Sequence, residues 1–193
     1  LTVTGAGTVS NTNALLLDEP AGVLKLSGTN TISGSVSLNA GTIDVDESST
    51  LSSDLTLGGS ATIDVAQDKT LTYGGASLSL GANSLTVVGA GTLLNANDLV
   101  LENEASVLKI SGTNTISGPL SLNAGTIDAD ESSTLSADLT MGGSATIDVA
   151  QEKTLTYGGV SLALGANTLT VAGAGILSNT NAFVLGDPAS VLK

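Results

Sequence analysis

Apolar and polar residues alternate along this chain in stretches of three to five positions, and each stretch ends in a short turn rich in Gly, Asn, Ser and Asp. One series of stretches is built on LTV (1–3), LKL (24–26), IDV (43–45) and IDV (63–65), and it begins again at LTV (85–87). Four residues after each comes a second series: TVS (8–10), TIS (31–33), TLS (50–52), TLT (70–72) and TLL (92–94). A third follows after a variable gap: LLL (15–17), VSL (36–38), LTL (55–57), LSL (78–80) and LVL (99–101). An apolar period of two belongs to strands with one face buried, not to amphipathic helices. Three strands in roughly 21 residues bury that face only if successive copies stack in parallel. The pattern therefore predicts an all-β fold: a three-sided parallel β-solenoid (β-helix) of about nine coils, each 19–23 residues long. Coils of unequal length favour the right-handed form. Each coil is expected to bury about five aliphatic side chains, for example Ile43, Val45, Leu51, Leu55 and Leu57. The constant four-residue first corner is expected to hold two sides in register, with the other corners taking up the variation in length.

The coils are themselves grouped. A shift of 84 residues aligns Ser27–Lys109 with Ser111–Lys193, and 65 of the 83 positions are identical. The chain reads as one continuous solenoid segment, with a partial unit over 1–26, a full unit over 27–110 and a further unit over 111–193. With coils ~4.8 Å apart, a unit of four coils rises ~19 Å. The chain begins and ends in mid-pattern, as a slice of a longer array would.

Composition prunes the functional classes. The 193 residues include no Cys, His, Trp or Arg, and all five basic residues are lysines. A disulfide framework, a structural zinc site and a Cys–His or Ser–His nucleophile are thereby excluded. A net charge of −13 argues against nucleic acid, whose affinity comes from neutralised phosphates. No apolar run is long enough to insert in a membrane, and no signal peptide opens the sequence. Solenoid polysaccharide lyases and hydrolases break their symmetry at a cleft holding Asp with Lys, Arg or His. Here each acidic feature is copied, so the sequence reads as a non-enzyme.

Registered coils would align outward residues in columns. The first series gives Thr2, Lys25, Asp44, Asp64, Thr86, Lys109, Asp128, Asp148, Thr170 and Lys193. Asp44 and Asp64, joined by Asp46 and Glu47, form an acidic cluster repeated as Asp128, Asp130, Glu131 and Asp148. Several carboxylates are what a Ca²⁺ site needs, and they are equally what a solvated acidic face carries. No other cofactor is suggested. The second series turns hydroxyls outward at Thr8/Ser10, Thr31/Ser33, Thr50/Ser52 and Thr70/Thr72, in the style of some ice-binding solenoids, but with breaks at Leu94 and Ile176. Such hydroxyls are also ordinary on a solvated strand. The third shows Leu16, Val100 and Val184 once per unit, either as lateral contacts between rods or shielded by the long corner DEPAGV (18–23).

SGTNTISGSVSLNAGTIDVD (27–46) and SGTNTISGPLSLNAGTIDAD (111–130) resemble the passenger-associated β-helix repeat of bacterial autotransporters and related large repetitive surface adhesins. The likeness covers about a quarter of each unit and departs at Ile32 and Ile116, where that family favours an aromatic residue. It implies a bacterial β-helix that is secreted or displayed at the cell surface as a stalk, adhesin or filament, and it carries over no catalytic residue. The expectation is an extracellular structural rod. Its partners would be further copies of itself, end to end and bundled side by side, with surface glycans as a further candidate. The alternative is a binding module for glycan, Ca²⁺ or ice on the hydroxyl or acidic columns.

Overall fold

The computed structural model describes residues 1–193 and contains 28 strands and no helix. Every strand ladder is parallel, and each joins a strand to the one a full coil later. Ten strands stack on the first side, from Thr2–Thr4 to Val191–Leu192, and nine on the second, from Gly7–Val9 to Ile176–Asn179. This is the predicted three-sided β-solenoid. Alternation selects it: inward positions such as Ile43, Val45, Leu51 and Ile63 are at most 1% exposed, and 40 buried apolar residues form one continuous core. At roughly 1.5–3 kcal/mol per buried aliphatic side chain, stacking is the dominant stabilising term. Leu57, expected inside, is only half-buried.

The register departs from the predicted columns. Asp44 pairs with Asp64 as expected, but Asp64 then pairs with Val88, and Thr86 pairs with Thr62. On the second side Thr50 pairs with Thr72, not with Thr70. Stepping through ladder partners over four coils therefore advances 86 residues (Thr2, Lys25, Asp44, Asp64, Val88), whereas the sequence repeats every 84. The cause lies at the first corner, which is not constant. From Asp44 to Thr50 is six residues, while the AQDK corner takes eight to get from Asp64 to the equivalent Thr72. It does so through a turn closed by the Lys69 N–H donating to the Ala66 carbonyl at 3.1 Å, with Asp68 at φ 60°. Glu152 holds the same place one unit later at φ 63°. A glutamate in the left-handed region is strained, so Glu152→Asn is expected to gain up to about 1 kcal/mol, read as a higher melting temperature.

The third side is not one sheet. It divides into groups of three, four and two strands, with no ladder between Leu55–Leu57 and Leu78–Ser79 or between Asp138–Met141 and Leu162–Ala163. These interruptions recur once per unit, in the coils that carry the longer corner. Where that ladder is intact, the N–H that opens a third-side strand donates to the coil above, as Val36 does to the Asp54 carbonyl at 3.0 Å, Leu78 to the Asp98 carbonyl at 2.8 Å and Leu162 to the Ala182 carbonyl at 2.9 Å. At the interruption the Leu55 N–H donates instead to Tyr73 Oη (3.2 Å), and the Leu57 carbonyl accepts from Asn83 Nδ2 (3.3 Å). Tyr157 and Asn167 repeat both bonds with Leu139 and Met141, each at 3.4 Å.

Candidate functional site

The first side carries the charge. Lys25 Nζ lies 2.7 Å from Asp44 Oδ2 and 2.8 Å from Asp46 Oδ2, which also accepts from Ser27 Oγ. Lys69 reaches back across a coil to Glu47 at 2.7 Å. One unit on, Lys109 joins Asp128 (3.0 Å) and Asp130 (2.7 Å), and Lys153 joins Glu131 (2.5 Å). Each lysine thus ties one coil to its neighbour. Hydrogen bonds donated to Asp44 and then to Asp46 raise the Lys25 ammonium above its usual range. In the second cluster Asp130 leads, followed by Asp128, in raising Lys109. Conversely, Lys25 holds Asp46 and Lys109 holds Asp130 below the usual carboxylate range.

Asp64 has no lysine. Burial first, and then the charges of Asp44 and Asp46, push its carboxyl up. The candidate Ca²⁺ ligands are therefore distributed as follows. Asp44, Asp46 and Glu47, with Asp128, Asp130 and Glu131, bond lysine ammonium groups, while Asp64 and Asp148 stack beside Asp44 and Asp128. No three carboxylates are grouped so as to hold one metal ion.

These shifts act in opposite directions with pH. A raised folded pKa favours the protonated form, so ionised Asp64 costs stability at neutral pH and that cost disappears in acid. Asp64→Asn is expected to raise stability at pH 7 by about 0.2–1 kcal/mol, the scale of like charges directly opposed in a sheet. The gain should fade as pH falls through the raised value of the wild-type carboxyl and be gone below about 4, the ordinary carboxylate range. Asp46 and Asp130 behave oppositely: their contribution is present above the usual carboxylate range and is lost as pH falls through their depressed values. Thermal melts of both proteins between pH 2 and 8 test the pair of signs.

No family model, curated protein or solved structure matches the chain. Its surface chemistry must be read from its own geometry. The second side is uncharged: none of its nine strands contains Asp, Glu or Lys. The two-residue register step divides its threonine ladder, which the sequence aligns as one column, into two shorter ones. Thr8, Thr31, Thr50 and Thr72 are successive partners, and the second ladder runs through Thr70, Thr92, Thr115, Thr134 and Thr156. Leu94 follows Thr72 and ends the first of these ladders, as the expected break there requires, and pairs onward with Ser117. Ile176 pairs with Thr154 and lies off the second ladder, which ends at Thr156 beside Ser178. The flanking serines are exposed but their hydroxyls bond within the protein, with Ser10 Oγ bonded to Ser33 Oγ and Ser52 Oγ donating to the Ile32 carbonyl. The threonine hydroxyls do not: in the whole chain only those of Thr140 and Thr180 bond within the protein.

On the third side Leu16 and Val184 are exposed, at 55% and 42%, and Val100 is half-buried between Ser79 and Ser121. The corner at 18–23 does not shield Leu16. The three belong to three different sheets of that side. Two matching open grooves lie where the third corner meets the first side, of about 280 Å³ beside Thr42, Thr62 and Thr86 and about 220 Å³ beside Thr126, Thr146 and Thr170.

The two tyrosines and the buried asparagines escape a reading by apolar triplets. Tyr73 and Tyr157 are each 2% exposed, and Asn30, Asn95 and Asn114 at most 4%. A signal for the tyrosines was present in TLTY, where the alternation runs one step longer than in TLS and places two apolar residues inside.

Proposed function

We propose that the chain is a section of an extracellular structural rod, a repetitive β-solenoid that serves as a surface filament, stalk, sheath or adhesin shaft. The observation that carries this reading is duplication. One core runs through all the coils, and each polar feature of the first side recurs 84 residues later with the same lysine–carboxylate bonds. A catalytic or ligand site would break that symmetry; a stiff spacer has no reason to. The resemblance of 27–46 and 111–130 to autotransporter passenger repeats supports a bacterial cell-surface setting. Its partners in this reading are further copies of itself, end to end and side by side.

Electron microscopy of purified protein, with and without a calcium chelator, tests the rod. Straight, unbranched rods with a ~4.8 Å axial repeat are expected. Short particles that never associate at any concentration would overturn the filament reading. Separation of bundled rods by the chelator would assign the carboxylates a bridging role.

A second reading has its own support in the uncharged second side, whose ladder of free threonine hydroxyls is spaced at about one strand separation. An ice-binding or glycan-binding face would use it. Thermal hysteresis, or retention on an insoluble polysaccharide, that is lost in Thr92→Lys/Thr115→Lys would favour this reading; neither effect in the wild type would remove it.

A further inference from the structure

We propose that each interruption of the third side is a hinge, at which the solenoid bends by opening that side while the first and second sides stay laddered. Four features coincide at the first interruption, and three of them recur at the second. The third-side ladder is absent between Leu55–Leu57 and Leu78–Ser79, and again between Asp138–Met141 and Leu162–Ala163. At each interruption the strand ends are held only by side chains: Tyr73, Asn83 and Asp54 (accepting from the Ala76 N–H) at the first, and Tyr157, Asn167 and Asp138 (accepting from the Val160 N–H) at the second. The tyrosine and asparagine bonds are 3.2–3.4 Å long, against 2.8–3.0 Å for the backbone bonds that Val36, Leu78 and Leu162 make from the equivalent position; of the aspartate bonds, that of Asp54 is 2.9 Å and that of Asp138 3.3 Å. Packing is imperfect at the first interruption, where a void of about 10 Å³ lies among Leu51, Leu55, Leu71, Tyr73, Leu78 and Leu99.

The fourth feature faces the other three across the coil. In a three-sided coil, the corner between the first and second sides lies opposite the third side. In the coil above each interruption that corner is the long one, with Asp68 or Glu152 in the left-handed conformation. Meanwhile the first side keeps four partners across the same plane (Thr42–Val45 with Thr62–Val65), and the second keeps three (Ser49–Leu51 with Leu71–Tyr73). The weak edge and the slack corner are therefore on opposite sides of a plane whose other two edges are fastened, which is the layout of a hinge. Local opening follows the weakest set of bonds, and here that set recurs every four coils. The rod would consist of stiff four-coil blocks joined at compliant planes.

Native-state hydrogen exchange on the intact chain tests this. The Leu55 and Leu139 amides are expected to exchange at least tenfold faster than those of Val36, Leu78 and Leu162, with Ile63 and Leu71 remaining protected. Tyr73→Phe keeps the ring and removes the acceptor, and should speed Leu55 by a further tenfold without touching Leu139. The chain has no cysteine, so a disulfide in Thr56→Cys/Ser79→Cys can fasten the plane and should slow Leu55 to the rate of Val36. Equal protection of all five third-side amides in the wild type would overturn the hinge. So would loss of protection at Ile63 and Leu71 together with Leu55, since the coils would then be separating outright.

Discussion

Gly89→Ala and Gly173→Ala are each expected to lower stability by about 2–4 kcal/mol, combining the left-handed penalty with the cost of overpacking. Gly89 has φ +88°, and a Cβ there would lie 2.1 Å from the Val65 carbonyl oxygen and 2.7 Å from Asp64 Oδ1. Gly173 meets Val149 and Asp148 in the same way, at 2.1 and 2.5 Å. The obstruction is backbone, which cannot swing aside as the tip of a side chain can. It is also doubly committed, because the Val65 carbonyl already accepts from the N–H groups of Ala90 and Gly91 at 3.1 and 3.0 Å. Gly158 is the control: a Cβ there meets nothing within 4 Å, and Gly158→Ala should stay within about 0.5 kcal/mol of wild type. Thermal unfolding of the three variants separates the two cases. Equal melting temperatures would mean that the coil below Gly89 does not approach as closely as described.

Tyr157→Ala should cost about 3–5 kcal/mol, the range for emptying a large aromatic site in a core. Tyr157→Phe divides that cost, because it keeps the ring and removes the hydroxyl; leaving the buried Leu139 N–H without its acceptor costs about 1–3 kcal/mol. Tyr157 Oη also donates to the Val160 carbonyl at 2.7 Å, so its hydroxyl serves both neighbours. Burial raises its pKa, as expected for a phenol kept from water. A phenylalanine variant as stable as wild type would show that the ring alone holds the interruption together.

Most of the fold was legible because strand alternation is a strong constraint. Ile43, Val45, Leu51 and Leu55 are inside, as their parity requires. The register was less legible, for the same reason. A slip of two residues leaves every side chain on its own face, so a period-two pattern cannot detect it. TLT (70–72) looks like TLS (50–52), yet Leu71 occupies the inward place of Ser49 and Tyr73 that of Leu51. What distinguishes them is a turn conformation at Asp68 that composition does not announce.

The surface suffered most from this. Lys25 beside Asp44 and Lys109 beside Asp128 were visible from spacing, since both pairs lie below the slip. The reach of Lys69 to Glu47 and of Lys153 to Glu131 was not, because it depends on how the longer corner is folded. Likewise Thr50, Thr70 and Thr92 form one column when coils are aligned by sequence, but in the hydrogen-bonded register Thr50 leads to Thr72 and then to Leu94. The interruptions of the third side had no sequence signature in the triplets themselves, since LTL and LSL are equally good strands.

The difference between 84 residues of sequence and 86 of ladder has a consequence for how such rods can associate. The operation that carries one unit onto the next is a screw: a rise of ~19 Å with a sideways step of two residues, ~6–7 Å along the strand. Rods that touched through the same residue in every unit could not lie straight beside one another, because the point of contact travels around the surface. They would have to wind, as helices do when a seven-residue repeat is out of step with their own turn. A bundle built this way is a rope and not a raft, and its pitch is written in the two extra residues of one corner.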